Sequence, residues 1–310
     1  MKQKVIIGSR GSKLALWQTY HVADKLQQAG FDTEIIAIET KGDKILHTSF
    51  AEIGTKGLFT EELEEKLINK EIDIAVHSAK DMQTDLGENL EIIAFTEREQ
   101  SHDVLLSLDK NFDISDQTKE VTIGTSSARR KAMLKHFYPH VKTVEARGNL
   151  QTRVQKLENG NFQAMILAYA GVHRMNMDSL IVKHFSQEQF TPATGQGSIA
   201  IEASKNLDPE KHNAIKAALN HKETEDCLLA ERSFLKTLEG GCSIPVFALA
   251  NLSNNQLSIT GGVISTNGEN LIKETITGPR EDSVKLGQTL GLSILNSGGK
   301  EILEEIKKNK

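Results

Sequence analysis

The sequence has few of the residues that stabilise disulfide-bonded or metal-bound scaffolds. Only two cysteines, Cys227 and Cys242, occur in 310 residues, so we expect no disulfide framework and two reduced thiols. No group of Cys and His has the spacing of a zinc site, and we expect no metal. No apolar run approaches the roughly 18 residues of a membrane span, and the N-terminus lacks the apolar region of a signal peptide. We therefore expect a cytoplasmic protein that makes no membrane contact.

An excess of positive charge is also lacking. The chain has 37 Lys and Arg against 42 Asp and Glu, a net charge of −5, and a pI of about 6.1. Proteins that bind nucleic acid or a membrane surface need a broad basic field, so we expect neither partner, although a local basic cleft is compatible with this charge. The length and the 38% hydrophobic content are typical of a globular protein with two or three domains.

Short apolar runs alternate with amphipathic stretches over the first two thirds of the chain, which predicts an α/β fold with parallel sheets covered by helices. Helices are predicted to start at Ser12, Thr60 and Ser127, with Ser12 and Thr60 as caps. Two segments, I-G-S-R-G-S-K-L-A-L from Ile7 and I-G-T-S-S-A-R-R-K-A from Ile123, share a plan of strand, glycine, hydroxyl residues, arginine and helix. We interpret them as parts of two similar α/β domains that face each other across a cleft; a chance likeness is the alternative. The last third predicts a smaller C-terminal α+β domain with an antiparallel meander.

Arginine is scarce and unevenly placed. Ligands of open parallel sheets bind beyond the carboxyl ends of the strands, and guanidinium groups bind carboxylates and phosphates through two-point contacts. Six of the nine arginines fall at predicted strand ends or helix starts: Arg10, Arg129, Arg130, Arg147, Arg153 and Arg174. This pattern indicates a cleft for a polyanionic small molecule, and surface salt bridges are the alternative.

Two further residues are candidates for chemistry. Asp81 follows a predicted strand among cationic residues, so it should stay ionised and could stabilise a positive charge formed in a reaction; a surface pair with Lys80 or a helix cap is the alternative. Cys242 lies in G-G-C-S-I-P, between a helix and a strand. A thiol on a glycine-rich turn suits covalent attachment, and a buried inert cysteine is the alternative. We assign Cys227 to helix packing and expect His77 to be partly buried and hydrogen-bonded.

Eight ordered motifs resemble those of the porphobilinogen deaminase family and extend over nearly the whole chain. They are S-R-x-S-x-L-A-L from Ser9, T-K-G-D from Thr40, G-x-K-G-L-F from Gly54, D-I-A-V-H-S-x-K-D from Asp73, G-T-S-S-x-R-R from Gly124, R-G-N-x-x-T-R from Arg147, G-Q-G from Gly195 and G-G-C-x-I-P around Cys242. No single motif is specific for the family, but the occurrence of all eight motifs in this order is specific.

This resemblance implies three domains: residues 1–98 with 197–218, residues 99–196, and residues 219–310. The first two would be similar to the domains of type 2 periplasmic binding proteins, and the third would carry Cys242. The family joins four porphobilinogen molecules head to tail, with release of ammonia, to give hydroxymethylbilane in tetrapyrrole (heme) biosynthesis. Its cofactor is a dipyrromethane held by a thioether to the cysteine that matches Cys242. A monomer is the family expectation.

The resemblance also implies roles for individual residues. Asp81 would be catalytic and would face the pyrrole nitrogens, while Lys56 and Phe59 would belong to a lid. The residues that bind cofactor and substrate carboxylates would be Arg10, Ser12, Ser78, Lys80, Thr125, Ser126, Ser127, Arg129, Arg130, Arg147 and Arg153. Many family members have a basic residue in place of Glu52 and an arginine near His102, so the charge at these two positions departs from the family pattern.

Two other functions fit parts of the sequence. A non-catalytic anion-binding protein of the two-domain periplasmic type would share the cleft, but it needs neither Asp81 nor Cys242. A regulatory effector-binding module would need a DNA-binding element, and no helix-turn-helix is evident in the sequence.

Overall fold

The computed structural model describes residues 3–40, 60–240 and 244–308. The chain divides into two compact units, one of residues 1–99 with 197–225 and the other of residues 100–196 with 226–310. The three domain ranges expected from the sequence stay a prediction.

The strands and helices alternate along the first two thirds of the chain. The strands are β1 (Lys4–Arg10), β2 (Asp32–Ile38), β3 (Ile74–Ser78), β4 (Leu90–Phe95), β5 (Asp103–Ser107), β6 (Val121–Gly124), β7 (Val141–Val144), β8 (Ala164–Ala168), β9 (Ile181–His184), β10 (Ile199–Ser204), β11 (Val246–Ser253), β12 (Gln256–Ile264) and β13 (Leu271–Pro279). The α-helices are α1 (Lys13–Gln28), α2 (Glu61–Ile68), α3 (Ala128–Phe137), α4 (Leu150–Glu158), α5 (Tyr169–Arg174), α6 (Pro209–Leu219), α7 (Lys222–Thr237), α8 (Ser283–Ile294) and α9 (Lys300–Lys308).

The first unit contains a mixed five-stranded sheet in the order β2-β1-β3-β10-β4. β1 runs parallel to β2 and β3, whereas β10 runs antiparallel to β3 and β4. Helices α1 and α6 cover this sheet, and their apolar residues Leu26 and Ile215 join Ile7, Ile74 and Ile201 of the strands in one core. The expected helix start at Ser12 is confirmed, because its hydroxyl accepts a hydrogen bond from Ala15 N at 3.3 Å and α1 ends at Gln28.

The sheet of the second unit repeats this topology. Its order is β7-β6-β8-β5-β9, with β6 parallel to β7 and β8, and β5 antiparallel to β8 and β9. β6 therefore corresponds to β1, and β8 corresponds to β3. The strand orders confirm the prediction of two similar α/β sheets, but the sheets are mixed rather than parallel, because β10 and β5 run antiparallel to both of their neighbours. Strand β5 stands where β10 stands in the first sheet, and the sequence analysis predicted neither β5 nor β9.

The last part of the chain contributes an antiparallel sheet in the order β11-β12-β13. The predicted meander is therefore confirmed. One face of this sheet packs against α7, α8 and α9, where Phe234 and Leu290 are fully buried. Phe247 and Ile264 of the same sheet pack instead with Phe190 of the preceding α/β region. Residues 100–196 and 226–310 consequently share apolar packing. Cys227 is buried in the helical core, which confirms its assignment to packing.

We expect Gly287→Ala to destabilise the second unit. Helices α7 and α8 approach closely, and a Cβ atom on Gly287 would lie 2.1 Å from the carbonyl oxygen of Ala230. Alanine is more favourable than glycine in an isolated helix by about 1 kcal/mol. Forcing an extra methyl group into a closely packed contact costs about 1–3 kcal/mol. The melting temperature measured by calorimetry should fall by a few degrees. Gln288→Ala, at an exposed position on the same helix, is the control. An unchanged or higher melting temperature for Gly287→Ala would contradict the close packing.

Candidate functional site

In the first unit, the carboxyl ends of β1 and β3 bring five predicted residues to one edge of the sheet. The two strands are parallel neighbours, with Ile7 paired to Ile74. Arg10 is the last residue of β1, and Ser12 caps the helix that follows. Ser78 is the last residue of β3, and its hydroxyl contacts the amide of Gln18 on α1 at 2.9 Å. This contact ties the end of β3 to α1.

Asp81 occupies a short turn directly after β3. The chain forms a single 3₁₀ turn over Ala79–Asp81, in which Ala79 is buried and Lys80 is half-buried. The carboxylate of Asp81 is exposed, and it has no hydrogen bond or ion pair with another described residue. A carboxylate that is exposed and has no partner among the described residues is available to a ligand.

The segment after Asp81 is fixed to helix α2. Gln83 Nε2 lies 3.1 Å from Thr60 Oγ1 and 3.1 Å from Glu64 Oε1. The side chain of Thr60 makes no capping hydrogen bond, although the sequence favoured it as the cap of this helix, because its hydroxyl faces Gln83. Burial raises the pKa of half-buried Glu64, and the negative charge of Glu202 raises it further. The hydrogen bonds that Glu64 itself accepts act in the opposite direction and lower the pKa.

A buried histidine and glutamate lie behind this edge of the sheet. His77 Nε2 is 3.0 Å from Glu202 Oε2, and both side chains are almost completely buried. The antiparallel pairing of β3 with β10 brings the two residues together. His77 was expected to be partly buried and hydrogen-bonded. Its side chain is instead buried, with an exposed fraction of 4%, and the two atoms lie within ion-pair distance but do not form a hydrogen bond. Neither Glu202 nor this pairing was predicted from the sequence.

In the second unit, hydroxyl groups gather where β6 ends beside β7. Ser127 caps α3 by accepting a hydrogen bond from Arg130 N at 3.4 Å. Thr125 Oγ1 accepts from Ser127 N at 3.3 Å, and Ser126 Oγ accepts from Ala146 N at 3.2 Å. A hydroxyl that accepts a backbone N–H keeps its own O–H for donation. Ser12, Thr125 and Ser127 therefore each retain a donor, within the described parts of the chain.

Arg129 and Arg130 share one buried carboxylate. Arg129 Nη2 lies 2.7 Å from Asp103 Oδ2, and Arg130 Nη2 lies 2.7 Å from Asp103 Oδ1. Both arginines also donate to backbone carbonyls, Arg129 to Thr191 at 2.9 Å and Arg130 to Ile166 at 3.1 Å. The exposed fraction is 0% for Asp103, 4% for Arg129 and 6% for Arg130. The sequence predicted these arginines as ligands for substrate carboxylates and did not predict Asp103.

Gln196 completes this cluster. Its Nε2 donates to Asp103 Oδ1 at 2.9 Å and to the carbonyl oxygen of Ser101 at 2.6 Å. Burial by itself would raise the pKa of Asp103, but the charges of Arg129 and Arg130 outweigh burial and hold that pKa well below its usual range. Burial lowers the pKa of Arg129, and Asp103 opposes this change. Asp103 is therefore ionised, and the three charged groups together carry one positive charge in excess.

One donor of Arg129 is left over. Its Nε is buried and has no hydrogen-bond partner in the described residues. A buried donor without a partner costs about 1–3 kcal/mol. A carboxylate of an added ligand would satisfy both this donor and the excess charge, so the cluster fits an anion.

Arg147 and Arg153 flank the same edge after β7. Arg147 Nε donates to Glu145 at 3.2 Å, and Arg153 Nε donates to the carbonyl oxygen of Gly148 at 2.8 Å. Lys131 also pairs with Glu145. Burial would raise the pKa of Glu145, but hydrogen bonds from Lys131 and Ser126 outweigh burial and lower it. Glu145 thus balances part of the positive charge at this edge, and the sequence analysis did not single it out.

Three predicted site residues, Cys242, Lys56 and Phe59, lie outside the described residues. Among the described residues, no three His, Cys, Asp or Glu side chains are arranged to hold a metal ion. No helix of the described chain is both long and apolar enough to cross a membrane.

Cationic and hydroxyl side chains at the strand ends of two α/β sheets are typical of proteins that bind anionic small molecules. Comparison with known proteins gives the family. Residues 5–214 match the family profile "Porphobilinogen deaminase, dipyromethane cofactor binding domain", and residues 226–296 match "Porphobilinogen deaminase, C-terminal domain". The chain belongs to the porphobilinogen deaminase family.

Curated relatives match the chain from end to end. The porphobilinogen deaminase of Desulfosudis oleivorans is 54% identical, over 98% of this chain and 98% of its own. The porphobilinogen deaminase of Cytophaga hutchinsonii is 53% identical, over 99% of this chain and 98% of its own.

Solved structures with a similar fold are more distant. The periplasmic VFT2 domain of BvgS from Bordetella pertussis covers 70% of this chain and 86% of its own, with 19% identity and a TM-score of 0.41. The Salmonella typhimurium periplasmic binding protein STM4351, described as highly specific for arginine, covers 70% of this chain and 91% of its own, with 11% identity and a TM-score of 0.37.

We expect Glu64→Gln to raise the melting temperature at neutral pH. The pKa of Glu64 is raised in the folded protein, so folding favours its protonated form. The contribution of Glu64 to stability is therefore full below its unfolded pKa and is lost as the pH rises through its folded pKa. Glutamine resembles the protonated acid and still accepts the hydrogen bond from Gln83.

This prediction can be checked with melting curves between pH 4 and pH 8. The increase in melting temperature of Glu64→Gln over the parent should be largest near pH 8 and should vanish near pH 4. Glu65→Gln, which removes the same charge at an exposed position of α2, controls for net charge. A gain that is independent of pH would mean that ionisation of Glu64 does not matter.

Proposed function

We propose that this chain joins four porphobilinogen molecules head to tail and releases one ammonia molecule at each step. Water then cleaves the bond between the four-unit chain and the primer and supplies the hydroxyl group of hydroxymethylbilane. Membership of the porphobilinogen deaminase family carries this proposal. The reaction would be primed by a dipyrromethane that is bound through a thioether to Cys242. When bound, this cofactor would supply the free pyrrole carbon to which the first substrate unit is joined.

The carboxylate groups of porphobilinogen support a binding role for the residues at both strand-end edges. Each substrate unit carries an acetate and a propionate, so the growing chain is a polyanion. Ser12, Thr125 and Ser127 have O–H groups available as donors, and Arg129 has a buried Nε without a partner in the described chain. These donors, together with Arg10, Lys80, Arg147 and Arg153, would bind the carboxylates.

Asp81 would stabilise the positive charge that develops when ammonia leaves. Departure of ammonia from the aminomethyl group leaves an azafulvenium-type cation, and a negative charge close to its nitrogen lowers the barrier. The carboxylate of Asp81 is exposed, and Lys80 adjoins it in the chain. Asp81 could also receive the proton that the attacking pyrrole carbon loses after the new bond forms. No metal is needed in this scheme.

The same proposal includes a cytoplasmic monomer that acts on small molecules alone. The net charge of −5 supports the expectation that neither nucleic acid nor a membrane surface is a partner. Sedimentation of the purified protein would report its oligomeric state directly.

Replacement of Cys242 by serine should abolish cofactor attachment. The intact mass of the denatured parent protein should exceed the mass calculated from the sequence by two linked pyrrole units, and Cys242→Ser should show no added mass. Cys227→Ser, at a buried position in the helical core, is the matched control and should keep the adduct. If the parent protein carries no adduct even after incubation with porphobilinogen, the chain is an anion-binding protein rather than a pyrrole polymerase.

Asp81→Asn should keep the cofactor but lose most turnover. Loss of one electrostatic stabiliser of a transition state lowers kcat by about 10²–10³, whereas the thioether to Cys242 does not depend on this carboxylate once it has formed. Porphobilinogen consumption and intact mass measure the two properties separately. Asp85→Asn changes an exposed aspartate four residues further on and should leave kcat unchanged. A normal rate for Asp81→Asn would remove Asp81 from the mechanism.

A further inference from the structure

We propose that Asp103 is a positioning residue for carboxylate binding, because it holds Arg129 and Arg130 side by side as the donors that receive the anionic cofactor and substrate. This inference rests on the proposed function and adds to it a residue that does not itself contact the ligand. It is carried by the geometry of the buried cluster at the start of β5.

The two arginines need a shared counter-ion in order to stay together. They are adjacent in sequence on the first turn of α3, and both side chains are buried. Two guanidinium groups that are close together repel each other, and burial strengthens this repulsion because the local dielectric constant is low. Asp103 prevents their separation by giving one oxygen to each: Oδ2 to Arg129 and Oδ1 to Arg130.

The backbone completes the orientation of each guanidinium group. Arg129 Nη1 is fixed by the carbonyl oxygen of Thr191, and Arg130 Nη1 by the carbonyl oxygen of Ile166. With Nη2 held by Asp103, the plane of Arg129 is defined by contacts on two nitrogens. The plane of Arg130 is defined by contacts on three, because its Nε also donates to Asp103 Oδ1 at 3.2 Å. The donor that remains in this arrangement is Arg129 Nε, which has no partner in the described residues. A rigid donor of this kind binds a carboxylate without loss of side-chain freedom.

Asp103 could act in two ways: it could position the two arginines for the substrate, or it could compete with the substrate for them. The charge of the cluster makes the two roles distinguishable. With Asp103 ionised, two positive charges face one negative charge, so the site still attracts an anion. Removal of the negative charge would increase this attraction, and it would also release the two arginines from their fixed positions. If positioning dominates, loss of Asp103 weakens substrate binding. If Asp103 merely competes with the substrate for the arginines, its loss strengthens binding.

A pair of matched variants tests the proposal. Asp103→Asn removes the shared negative charge with little change of shape. Asp226→Asn removes the charge of another buried aspartate in the same unit, which pairs with Arg280 at 2.5 Å and has no place in the proposed site. Both variants should lower the melting temperature. The measured quantities are the fraction of protein that carries the dipyrromethane adduct, by intact mass, and the KM and kcat of the loaded protein for porphobilinogen.

We expect Asp103→Asn to raise KM at least tenfold and to reduce the loaded fraction to less than half, while kcat per loaded molecule stays within threefold of the parent value. Asp226→Asn should keep both KM and loading. Asp103→Glu, which keeps the charge, should recover at least part of the loading. An unchanged or lower KM in Asp103→Asn would overturn the proposal, and so would equal losses of loading in the two asparagine variants.

A second variant covers the case in which Asp103→Asn does not fold. Gln196→Met removes the neutral donor that Gln196 gives to Asp103 Oδ1 and leaves every charge in place. We expect a KM increase of about threefold, and an unchanged KM would count against the positioning role. Failure of the proposed function can be told apart from failure of the positioning role. In that case the parent protein itself would carry no adduct and would not consume porphobilinogen.

Discussion

A single carboxylate that is shared by two arginines sets the arrangement of the second unit. Asp103 begins the strand next to the outer strand of its sheet, and Arg129 and Arg130 begin the helix that follows another strand. Breaking a buried ion pair by removal of one partner costs about 3–5 kcal/mol. The strand, the helix and the G-Q-G turn that carries Gln196 therefore have to assemble together for any of these charges to be tolerated.

Parallel strands explain why the remaining cationic and hydroxyl residues collect at the sheet edges. β1 and β3 in one unit, and β6 and β7 in the other, end at the same edge of their sheets. The first hydroxyl residues after these strands satisfy backbone N–H groups, as Ser12 and Ser127 do for their helices. The same residues thus stabilise the helix starts and keep an O–H for a ligand. The proposed binding role would not compete with the capping role, because the two use different parts of one hydroxyl group.

Local patterns were sufficient to predict most of the elements and part of the site. Ser12 and Ser127 were recognisable as the starts of helices because caps depend on residues three positions apart. Strand β5 was missed because D-V-L-L-S has only three apolar residues and no alternation. Its Asp103 pairs with residues 26 and 27 positions away, and no local signal reports such a partner. Thr60 does precede the first residue of α2, as predicted, but its side chain makes no capping hydrogen bond, and its hydroxyl faces the distant Gln83.

The exposure of Asp81 bears on the charge stabilisation that is proposed for it. Two opposite unit charges 4 Å apart attract each other by about 1 kcal/mol in water and by about 4 kcal/mol at an effective dielectric constant of 20. An exposed carboxylate therefore stabilises a developing cation weakly until the bound substrate excludes water from it. In the proposed mechanism, a substrate that is bound through its carboxylates would exclude this water. The residues proposed to bind those carboxylates would then contribute to the reaction rate as well as to affinity, because the effective dielectric constant around Asp81 would be lower.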